Sequence, residues 1–285
     1  MLIRYKQDEL GKTLPVANIY TQPEHKIQAS LLDKDALWAI KKLQASGAEA
    51  YLVGGAVRDM MLGTTPKDFD IATSASPRQI QRMFWNARII GKRFKLVHLV
   101  FKDKVLEVST FRSGEEALDG NNNVFGSIDQ DAKRRDFSIN SFYYDPTSGQ
   151  LLDFNHAMED FKKKRISSII DLDESFKEDP VRMIRAIKYS VSTGFTLRWS
   201  IKMAIRKYSN ELSRVSTSRL TEEVNKILAS GHSCDIFNEL KRYKLLVFML
   251  PAFSIYSSYP QVQSSLKEMD KQVMLAKQGK GAEVQ

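Results

Sequence analysis

The chain has 285 residues, of which 42% are hydrophobic and 27% charged, and this composition indicates a globular protein with room for two domains. A single cysteine excludes an intramolecular disulfide, and there is no zinc-type Cys/His cluster, no transmembrane-length apolar run and no signal-peptide segment, so we expect a cytoplasmic protein without a membrane partner. The net charge of +9 indicates a polyanionic partner, and residues 196–250 hold ten Lys/Arg against five Asp/Glu.

Residues 1–30 are polar, contain prolines and lack a clear period, so they are predicted to form an extended N-terminal arm. Helices and strands alternate after this arm. Amphipathic spacing and cap signals predict helices at residues 31–46, 56–62, 77–85 and 129–140. Apolar runs predict strands at residues 48–53, 69–73, 87–90, 96–101, 105–111 and 141–144. Residues 113–123 have the composition of a mobile loop.

The pattern becomes helical from Asp179 to about Leu250, and the last residues indicate a fading terminus. We therefore predict an α+β fold in which an alternating head precedes an all-helical extension. The predicted regions are an arm at 1–30, a head at 31–165, a helical neck and body at 166–250 and a tail at 251–285.

Two carboxylates, Asp68 and Asp70, are spaced i, i+2 in the segment YLVGGAVRDMMLGTTPKDFDIAT at residues 51–73. Side chains with this spacing point to one face of a strand, where two acids repel each other unless a cation lies between them. Oxygen ligands of this kind suit Mg²⁺, which leaves its other positions to water and substrate phosphates. The alternative is an exposed acidic turn after Pro66.

Gly54 and Gly55 lie between a predicted strand and a short helix that carries Arg58. Glycines let backbone N–H groups approach a ligand closely, and a helix N-terminus favours negative charge, so this turn could hold a triphosphate. Arg58 would add a contact to a phosphate oxygen or to the 3′ end of a primer. The alternative is a tight turn without a ligand.

Glu107 lies in an apolar strand, VLEV at residues 105–108, where an acid is out of place. A buried carboxylate needs a partner, and the Asp68/Asp70 pair with its metal offers one. The alternative is an outward-facing position on an edge strand.

A second dense cluster, DAKRRDFSIN, covers residues 131–140. In the predicted helix, Asp136 and Asn140 are i, i+4 neighbours and Arg135 lies within one turn of Asp131. Arg134 and Arg135 could hold a triphosphate or neutralise departing pyrophosphate; the alternative is a solvated helix face.

The third cluster is EDPVRMIR at residues 178–185. Asp179 and Pro180 predict a helix start, and Arg182 and Arg185 share a helix face with Asp179 at its head. A carboxylate beside an arginine matches the amine and ring-nitrogen acceptor of adenine or cytosine, whereas guanine and uracil present the reverse pattern. The alternative is a capping aspartate paired with Arg182.

Taken together, the three clusters resemble the class II nucleotidyltransferases, which comprise bacterial poly(A) polymerases and CCA-adding tRNA nucleotidyltransferases. The blocks that carry the resemblance span about residues 51–195, and SRLTEEVNKIL at 218–228 extends it. The loop between Arg112 and Phe125 is shorter than in many bacterial poly(A) polymerases, and the long basic C-terminal region of those enzymes is absent from the sequence.

The resemblance implies a polymerase-β-like head in which Asp68 and Asp70 bind the metal. It implies that Asp136 is a further active-site acid and that Glu107 falls where a third strand carboxylate is expected. The residues implied to bind the triphosphate are Gly54, Gly55, Arg58 and Arg135. Those implied to read the incoming base are Asp179, Arg182 and Arg185.

The expected activity is template-independent addition of AMP from ATP to an RNA 3′-hydroxyl, with two Mg²⁺ ions at Asp68 and Asp70. Segments such as IIGKRFKLVHLVF at residues 89–101 resemble bacterial poly(A) polymerases more than CCA-adding enzymes. CCA addition remains an alternative, because the carboxylate–arginine pair fits ATP and CTP equally. A non-catalytic RNA-binding protein on the same fold is a second alternative. The sequence does not predict the oligomeric state.

Overall fold

The computed structural model describes residues 2–7, 11–91, 96–113 and 125–277. The chain divides into two compact units, Met1–Lys162 and Lys163–Gln285, which we call the head unit and the helical unit. A mixed sheet dominates the first and helices the second, which confirms the predicted α+β class. No helix in the described part of the chain is long and apolar enough to cross a membrane.

The described residues of the head unit form a nine-stranded sheet in the order β1-β2-β9-β8-β3-β4-β7-β6-β5. The strands are β1 Leu2–Gln7, β2 Thr13–Tyr20, β3 Ala50–Val53, β4 Asp70–Thr73, β5 Ala87–Ile90, β6 Leu96–Val100, β7 Val105–Thr110, β8 Tyr143–Asp145 and β9 Gln150–Asp153. The helices are α1 Gln22–His25, α2 Lys34–Ala45, α3 Gly55–Met61, α4 Pro77–Met83, α5 Ile128–Lys133 and α6 Ala157–Lys162. All neighbouring strands pair antiparallel except β4 and β7, which are parallel.

The sheet buries apolar side chains on both faces, because successive residues of each strand point to opposite sides. On one face, Leu52, Ile71 and Leu106 belong to the larger core cluster with residues of α2, α3 and α4. On the other face, Val53 and Ala72 belong to a smaller cluster, which includes Ile128 and Ala132 of α5.

The helical unit contains two short parallel strands, β10 Arg165–Ile166 and β11 Thr196–Leu197. Its helices are α7 Leu172–Glu178, α8 Val181–Thr193, α9 Trp199–Tyr208, α10 Thr217–Leu228, α11 Ser233–Arg242, α12 Leu246–Met249, α13 Pro251–Tyr256 and α14 Pro260–Lys277. Helix α8 begins at Val181, one residue after the predicted start at Pro180, and ends at Thr193. Gly194 follows it in a left-handed conformation that suits glycine.

Most predicted elements between residues 31 and 111 are confirmed, with ends that differ by a few residues. The Ser76 hydroxyl accepts the backbone N–H of Gln79 and caps α4, as the Ser76-Pro77 pair predicts. The predicted loop at residues 113–123 lies almost entirely outside the described residues.

The prediction of an extended N-terminal arm is wrong for its described residues. β1 and β2 pair with each other, and β2 continues into the sheet through β9. The strand pattern is hidden in the sequence because β1 is the sheet edge and is exposed at almost every residue, so it lacks the alternation that marks a half-buried strand.

The predicted helix at 129–140 is wrong beyond residue 133. Helix α5 ends at Lys133, and a 3-10 turn covers Ser138–Asn140. Phe137 and Ile139 are both buried, and residues two apart cannot share one face of an α-helix, so the chain leaves the helix between them and α5. Asp136 and Asn140 are therefore not neighbours on a helix.

The prediction of a fading terminus is wrong up to residue 277. Helix α14 packs on α11 and buries Leu266, and its Asp270 carboxylate accepts the backbone N–H groups of Ser233 and Cys234 at 2.7 and 2.9 Å. This capping contact from a distant helix leaves no periodic signal in the sequence of α14 itself.

Candidate functional site

Four polar side chains form one row across the central and outer strands of the head sheet. Asp70 of β4 is in register with Glu107 of β7, Glu107 with His98 of β6, and His98 with Arg88 of β5. Residues directly opposite each other in neighbouring strands lie on the same face of a sheet. The structure thus places Glu107 beside Asp70, as the sequence analysis expected of a carboxylate that belongs to the acid pair.

Glu107 does not lie on an edge strand, because β7 is flanked by β4 and β6. Its side chain is 52% exposed, and its Oε1 lies 3.7 Å from Nε2 of His98. The edge-position alternative is therefore wrong about the strand, although the side chain does face outward. His98 was not singled out from the sequence; the antiparallel register of β6 with β7 brings it beside Glu107.

Asp70 begins β4 opposite Val53, the last residue of β3 before the glycine turn. Phe69 is buried, whereas Asp70 is half-buried and Asp68 exposed. Only Asp70 of the two acids belongs to a strand, since Asp68 lies in the bend before it. The described residues contain no group of three or more His, Cys, Asp or Glu side chains placed to hold a metal ion.

The Gly54 turn lies next to Asp70, at one end of this row of polar side chains. Gly54 has φ 71° and ψ −136°, a conformation that residues with a Cβ rarely adopt. A Cβ at Gly54 would lie 3.5 Å from Oδ2 of Asp70 and 4.0 Å from Nη1 of Arg135. Asp70 and Arg135, which were predicted from separate motifs, therefore both lie beside the backbone of Gly54.

Arg58 of α3 folds back over the same turn. A Cβ at Gly55 would lie 3.5 Å from its Nη2 atom. The guanidinium donates from Nε to Oδ1 of Asp59 at 2.8 Å and from Nη1 to Oδ1 of Asn140 at 3.0 Å. Asn140 thus connects the 3-10 turn to α3 and holds the Arg58 side chain beside the glycines.

Arg135 belongs to a tightly bonded group with Asp131 and Tyr143. It donates from Nη2 to Oδ2 of Asp131 at 3.1 Å and from Nε to the Tyr143 hydroxyl at 3.0 Å, and that hydroxyl donates to Asp131 at 2.5 Å. The predicted proximity of Arg135 and Asp131 is confirmed. Tyr143 was missed because its sequence context indicates only an apolar strand.

This group is strongly perturbed electrostatically. Burial raises the pKa of the Tyr143 hydroxyl; Arg135 opposes that rise and Asp131 adds to it. Burial acts to lower the pKa of the Arg135 guanidinium, but Tyr143 and Asp131 outweigh it, so that pKa is raised. The side chain at the glycine turn is therefore a permanent cation.

Two further arginines surround Asp131. The backbone N–H of Arg112 donates to Oδ1 of Asp131 at 3.2 Å, and Arg134 donates to the carbonyl oxygen of Ser113 at 2.5 Å. Burial lowers the pKa of the Arg112 guanidinium; Asp131 opposes this, and Arg134 and Arg135 add to it. Arg112, Arg134 and Arg135 are therefore close enough to act on one another electrostatically.

Asp136 lies in the non-helical segment that follows α5. Its Oδ1 accepts the backbone N–H of the buried Phe137 at 2.8 Å, which fixes the carboxylate next to the chain that leads into the 3-10 turn. Asp136 is the next residue in the chain after Arg135, whose guanidinium lies beside Gly54.

The predicted base-reading residues lie in the helical unit, where each contacts a partner within that unit. Asp179 accepts from Nη2 of Arg219 at 2.9 Å and from the backbone N–H of Val181 at 3.3 Å. Arg182 donates to Oε2 of Glu178 at 2.9 Å. Asp179 therefore contacts the first backbone N–H of α8, although the N-cap residue is Pro180. Its ion pair is with Arg219, whereas the alternative interpretation of the sequence expected a pair with Arg182.

Arg185 lies one turn after Arg182 and donates from Nη2 to the Tyr189 hydroxyl at 3.2 Å. Beyond it, Lys188 of α8 and Glu223 of α10 form an ion pair of 2.6 Å whose side chains are only 12% and 8% exposed. Burial lowers the pKa of Lys188, and Glu223 opposes that shift. This pair joins α8, the helix that follows Asp179, to α10, the helix that carries Arg219.

Two family models match the chain. Residues 50–167 match the "Poly A polymerase head domain", and residues 194–256 match the "Probable RNA and SrmB- binding site of polymerase A". The first match contains the Gly54 turn, Asp68, Asp70, Glu107 and Arg135.

Curated relatives carry both of the names that the sequence analysis proposed. The chain is 34% identical over 256 residues to poly(A) polymerase I of Salmonella typhi, with 85% of this chain and 55% of that protein covered. It is 36% identical over 214 residues to the CCA-adding enzyme of Bacillus subtilis, with 74% and 54% covered. The chain thus spans about half the length of these curated relatives.

The chain is also similar to a solved structure of a CCA-adding enzyme. The crystal structure of the Bacillus stearothermophilus CCA-adding enzyme in complex with CTP aligns with a TM-score of 0.70 and 29% identity, covering 88% of this chain and 63% of that one. The two family models together match more than half of the chain, in the order that the motifs predict. The chain belongs to the nucleotidyltransferase family of bacterial poly(A) polymerases and CCA-adding enzymes.

Proposed function

We propose that this protein is an RNA 3′-end nucleotidyltransferase that adds AMP from ATP without a template. The observation that carries the proposal is the register of Asp70 with Glu107 beside the Gly54 turn, where Arg135 also lies. Carboxylates next to an open backbone turn and a permanent cation are the parts that transfer of a nucleotidyl group to a hydroxyl requires. Homology to poly(A) polymerase I over 85% of the chain supports the choice of ATP.

The residues of the head unit would divide this work between them. The backbone of Gly54 and Gly55 would approach the triphosphate, and Arg58 and Arg135 would contact its oxygens. Asp136, held by the Phe137 N–H, would be a further acid of the site. Arg112 and Arg134 would add positive charge where pyrophosphate departs.

The carboxylates fit a magnesium requirement. Asp70 and Glu107 are in-register neighbours on one face, and acids in that arrangement repel each other unless a cation reduces the repulsion. Asp68 and Asp70 would hold the ion, since Mg²⁺ typically takes one or two carboxylates together with substrate phosphates. When bound, Mg²⁺ would lower the pKa of the attacking hydroxyl and balance charge on the triphosphate.

Base selection would fall to Asp179 and Arg182, with Arg185 beside them. Each side chain is already held in position, Asp179 by Arg219 and Arg182 by Glu178. A fixed acceptor and a fixed donor match the edge of adenine or cytosine and reject guanine and uracil.

The test is an incorporation assay with Mg²⁺, in which ATP or CTP is offered together with an oligo(A) primer or a tRNA that lacks its terminal nucleotides. Successive addition of AMP to oligo(A), with little use of CTP, is the expected result. Failure to incorporate any nucleotide on either primer would instead favour a non-catalytic RNA-binding protein.

CCA addition is the second candidate, favoured by the 36% identity to a CCA-adding enzyme and by the structural likeness to one in complex with CTP. It predicts that the tRNA receives CMP once or twice and then a single AMP. That product pattern would show CCA addition in place of AMP addition alone. The roles proposed for the residues of the head unit would stay the same.

A further inference from the structure

Tyr143 is a fully buried residue of β8 that lies on the face of the sheet covered by α5. It pairs in register with Val53 of β3, the last residue before the Gly54 turn. Residues that face each other in an antiparallel pair lie on the same face of a sheet, and Val53 and Tyr143 accordingly belong to the same core cluster. The strand that leads into the glycine turn therefore also fixes the place of the Tyr143 side chain.

The Tyr143 hydroxyl makes one hydrogen bond as a donor and one as an acceptor. It donates its only proton to Oδ2 of Asp131 at 2.5 Å and accepts the Nε–H of Arg135 at 3.0 Å. The same Oδ2 accepts from Nη2 of Arg135 at 3.1 Å, so the three side chains close a ring of hydrogen bonds. Burial raises the pKa of the hydroxyl, which therefore stays protonated at neutral pH and keeps the direction of both bonds.

This ring of hydrogen bonds determines which edge of the Arg135 guanidinium lies at the glycine turn. Nε and Nη2 point to Tyr143 and Asp131, whereas Nη1 would lie 4.0 Å from a Cβ at Gly54. The Tyr143 ring supports the same group, since its centre lies 4.9 Å from Cζ. A long side chain that is already held in place loses less conformational entropy when it binds a ligand. Arg135 thus presents one defined N–H edge beside Gly54.

We propose that Tyr143 is a positioning residue, whose hydroxyl acts with Asp131 to hold the Nη1 edge of Arg135 against the triphosphate of the incoming nucleotide at the Gly54 turn. This role rests on the proposed function, in which Arg135 contacts a triphosphate oxygen. Because ATP and CTP carry the same triphosphate, the role is the same for AMP addition and for CCA addition. In the alternative, the hydrogen bonds only join α5 to the sheet and have no effect on the nucleotide.

Tyr143→Phe tests this role, because it removes the hydroxyl and keeps the buried ring. Binding is measured on the full chain by isothermal titration calorimetry, without a primer. We expect the dissociation constants of ATP and CTP to rise by the same factor of roughly 10, as loss of a hydrogen bond to a charged group would give. Inorganic tripolyphosphate, which has no base, should lose affinity by a similar factor. In incorporation assays KM for ATP should rise more than kcat falls, since the contact is already present in the bound nucleotide.

A double-mutant cycle with Arg135→Gln shows whether Tyr143 acts through Arg135. Arg135→Gln alone should weaken ATP binding roughly 100-fold, because a charged contact to the triphosphate is lost. Tyr143→Phe should then add little to that loss, since the group that it positions is already absent. Fully additive losses would overturn the inference, because the hydroxyl would then affect the nucleotide by a route that does not include Arg135.

Tyr144→Phe is the matched control on the same strand. Tyr144 is the next residue of β8, is 4% exposed and belongs to the core cluster on the opposite face of the sheet. Both variants remove a hydroxyl from a buried ring, but successive residues of a strand point to opposite faces, so Tyr144 faces away from Arg135. Tyr144→Phe should bind ATP as the wild type does, and melting temperatures show that both variants are folded.

The outcomes separate this role from the proposed function. Wild-type affinity for ATP and tripolyphosphate in Tyr143→Phe would overturn the inference and leave the proposed function intact, as would an equal loss of affinity in Tyr144→Phe. A wild type that binds neither ATP nor tripolyphosphate would overturn the proposed function, and the role of Tyr143 with it.

Discussion

Asp70 and Glu107 are in-register neighbours on two parallel strands of the head sheet, although 36 residues separate them along the chain. Asn at position 70 keeps the size of the side chain but removes its charge. We expect Asp70→Asn to lower nucleotide incorporation by roughly 10³-fold, as loss of several kcal/mol of transition-state stabilisation would. Unchanged circular dichroism and melting temperature would verify the fold, and near-normal activity of this variant would exclude Asp70 from the metal site.

Glu107→Gln should have a smaller effect than Asp70→Asn. The Glu107 side chain is 52% exposed and adjoins His98, so water screens the electrostatic effect of its charge. We expect about a tenfold loss of incorporation together with a higher Mg²⁺ concentration for half-maximal rate, measured by metal titration. A loss as large as that of Asp70→Asn would place Glu107 among the metal ligands.

Gly54→Ala should separate stability from activity when compared with Gly63→Ala at the other end of α3. Both glycines have positive φ, 71° and 74°, so each substitution should cost about 1–2 kcal/mol of unfolding free energy in urea titrations. Only at Gly54 would the new Cβ meet Asp70 and Arg135, whereas nothing lies within 4 Å at Gly63. Incorporation should therefore fall in Gly54→Ala and persist in Gly63→Ala; equal activities would argue against a substrate at the turn.

The sequence analysis located the Gly54 turn and Asp70 because their motifs are local, and local spacing determines which side chains share a face of one element. The sequence also indicates the acid pair as the partner of Glu107, but not its register with Asp70, because that register depends on strands paired across the sheet. Tyr143 and Arg219 were missed for the same reason. Each completes a polar group from a distant element, and its own neighbours in sequence indicate only an apolar strand or an ordinary helix.

The errors in fold have related causes. The edge strand β1 lacks alternation because both of its faces are exposed, and α14 is amphipathic only weakly because it contributes few buried residues. The segment after α5 leaves the helix so that Phe137 and Ile139 can both be buried. In each case tertiary contacts outweigh the local pattern.

The buried pair Lys188–Glu223 gives a test of stability within the helical unit. Glu223→Gln leaves an uncompensated buried ammonium and should cost about 3–5 kcal/mol of unfolding free energy. The double variant Lys188→Met/Glu223→Leu should recover much of that loss, because neither charge remains buried. Chemical denaturation of both variants measures the two losses, and a double variant as unstable as Glu223→Gln would contradict a cost from the unpaired buried ammonium.

Tyr51 should make the head unit sensitive to alkali. Burial and the nearby Glu49 raise the pKa of its hydroxyl to about 12, and Arg4, which donates to it at 3.2 Å, opposes the rise. The unfolded chain loses this proton near pH 10. The folded state therefore binds more protons between pH 10 and 12, and stability present below pH 10 is lost as the pH rises through that window.

The measurement is the unfolding free energy as a function of pH in the wild type and Tyr51→Phe. The variant should lose up to about 2 kcal/mol less than the wild type between pH 10 and 12. Tyr5→Phe, at an exposed position on β1, is the control and should follow the wild type. Identical slopes in all three proteins would contradict the assignment.

The parallel pairing of β4 with β7 has a consequence for how the protein folds. A parallel pair cannot close through a tight turn, and here the chain between β4 and β7 contains α4, β5 and β6. Contacts between residues far apart in sequence form slowly, because the entropy of closing the intervening chain opposes them. We therefore expect the register of Asp70 with Glu107 to form late in folding.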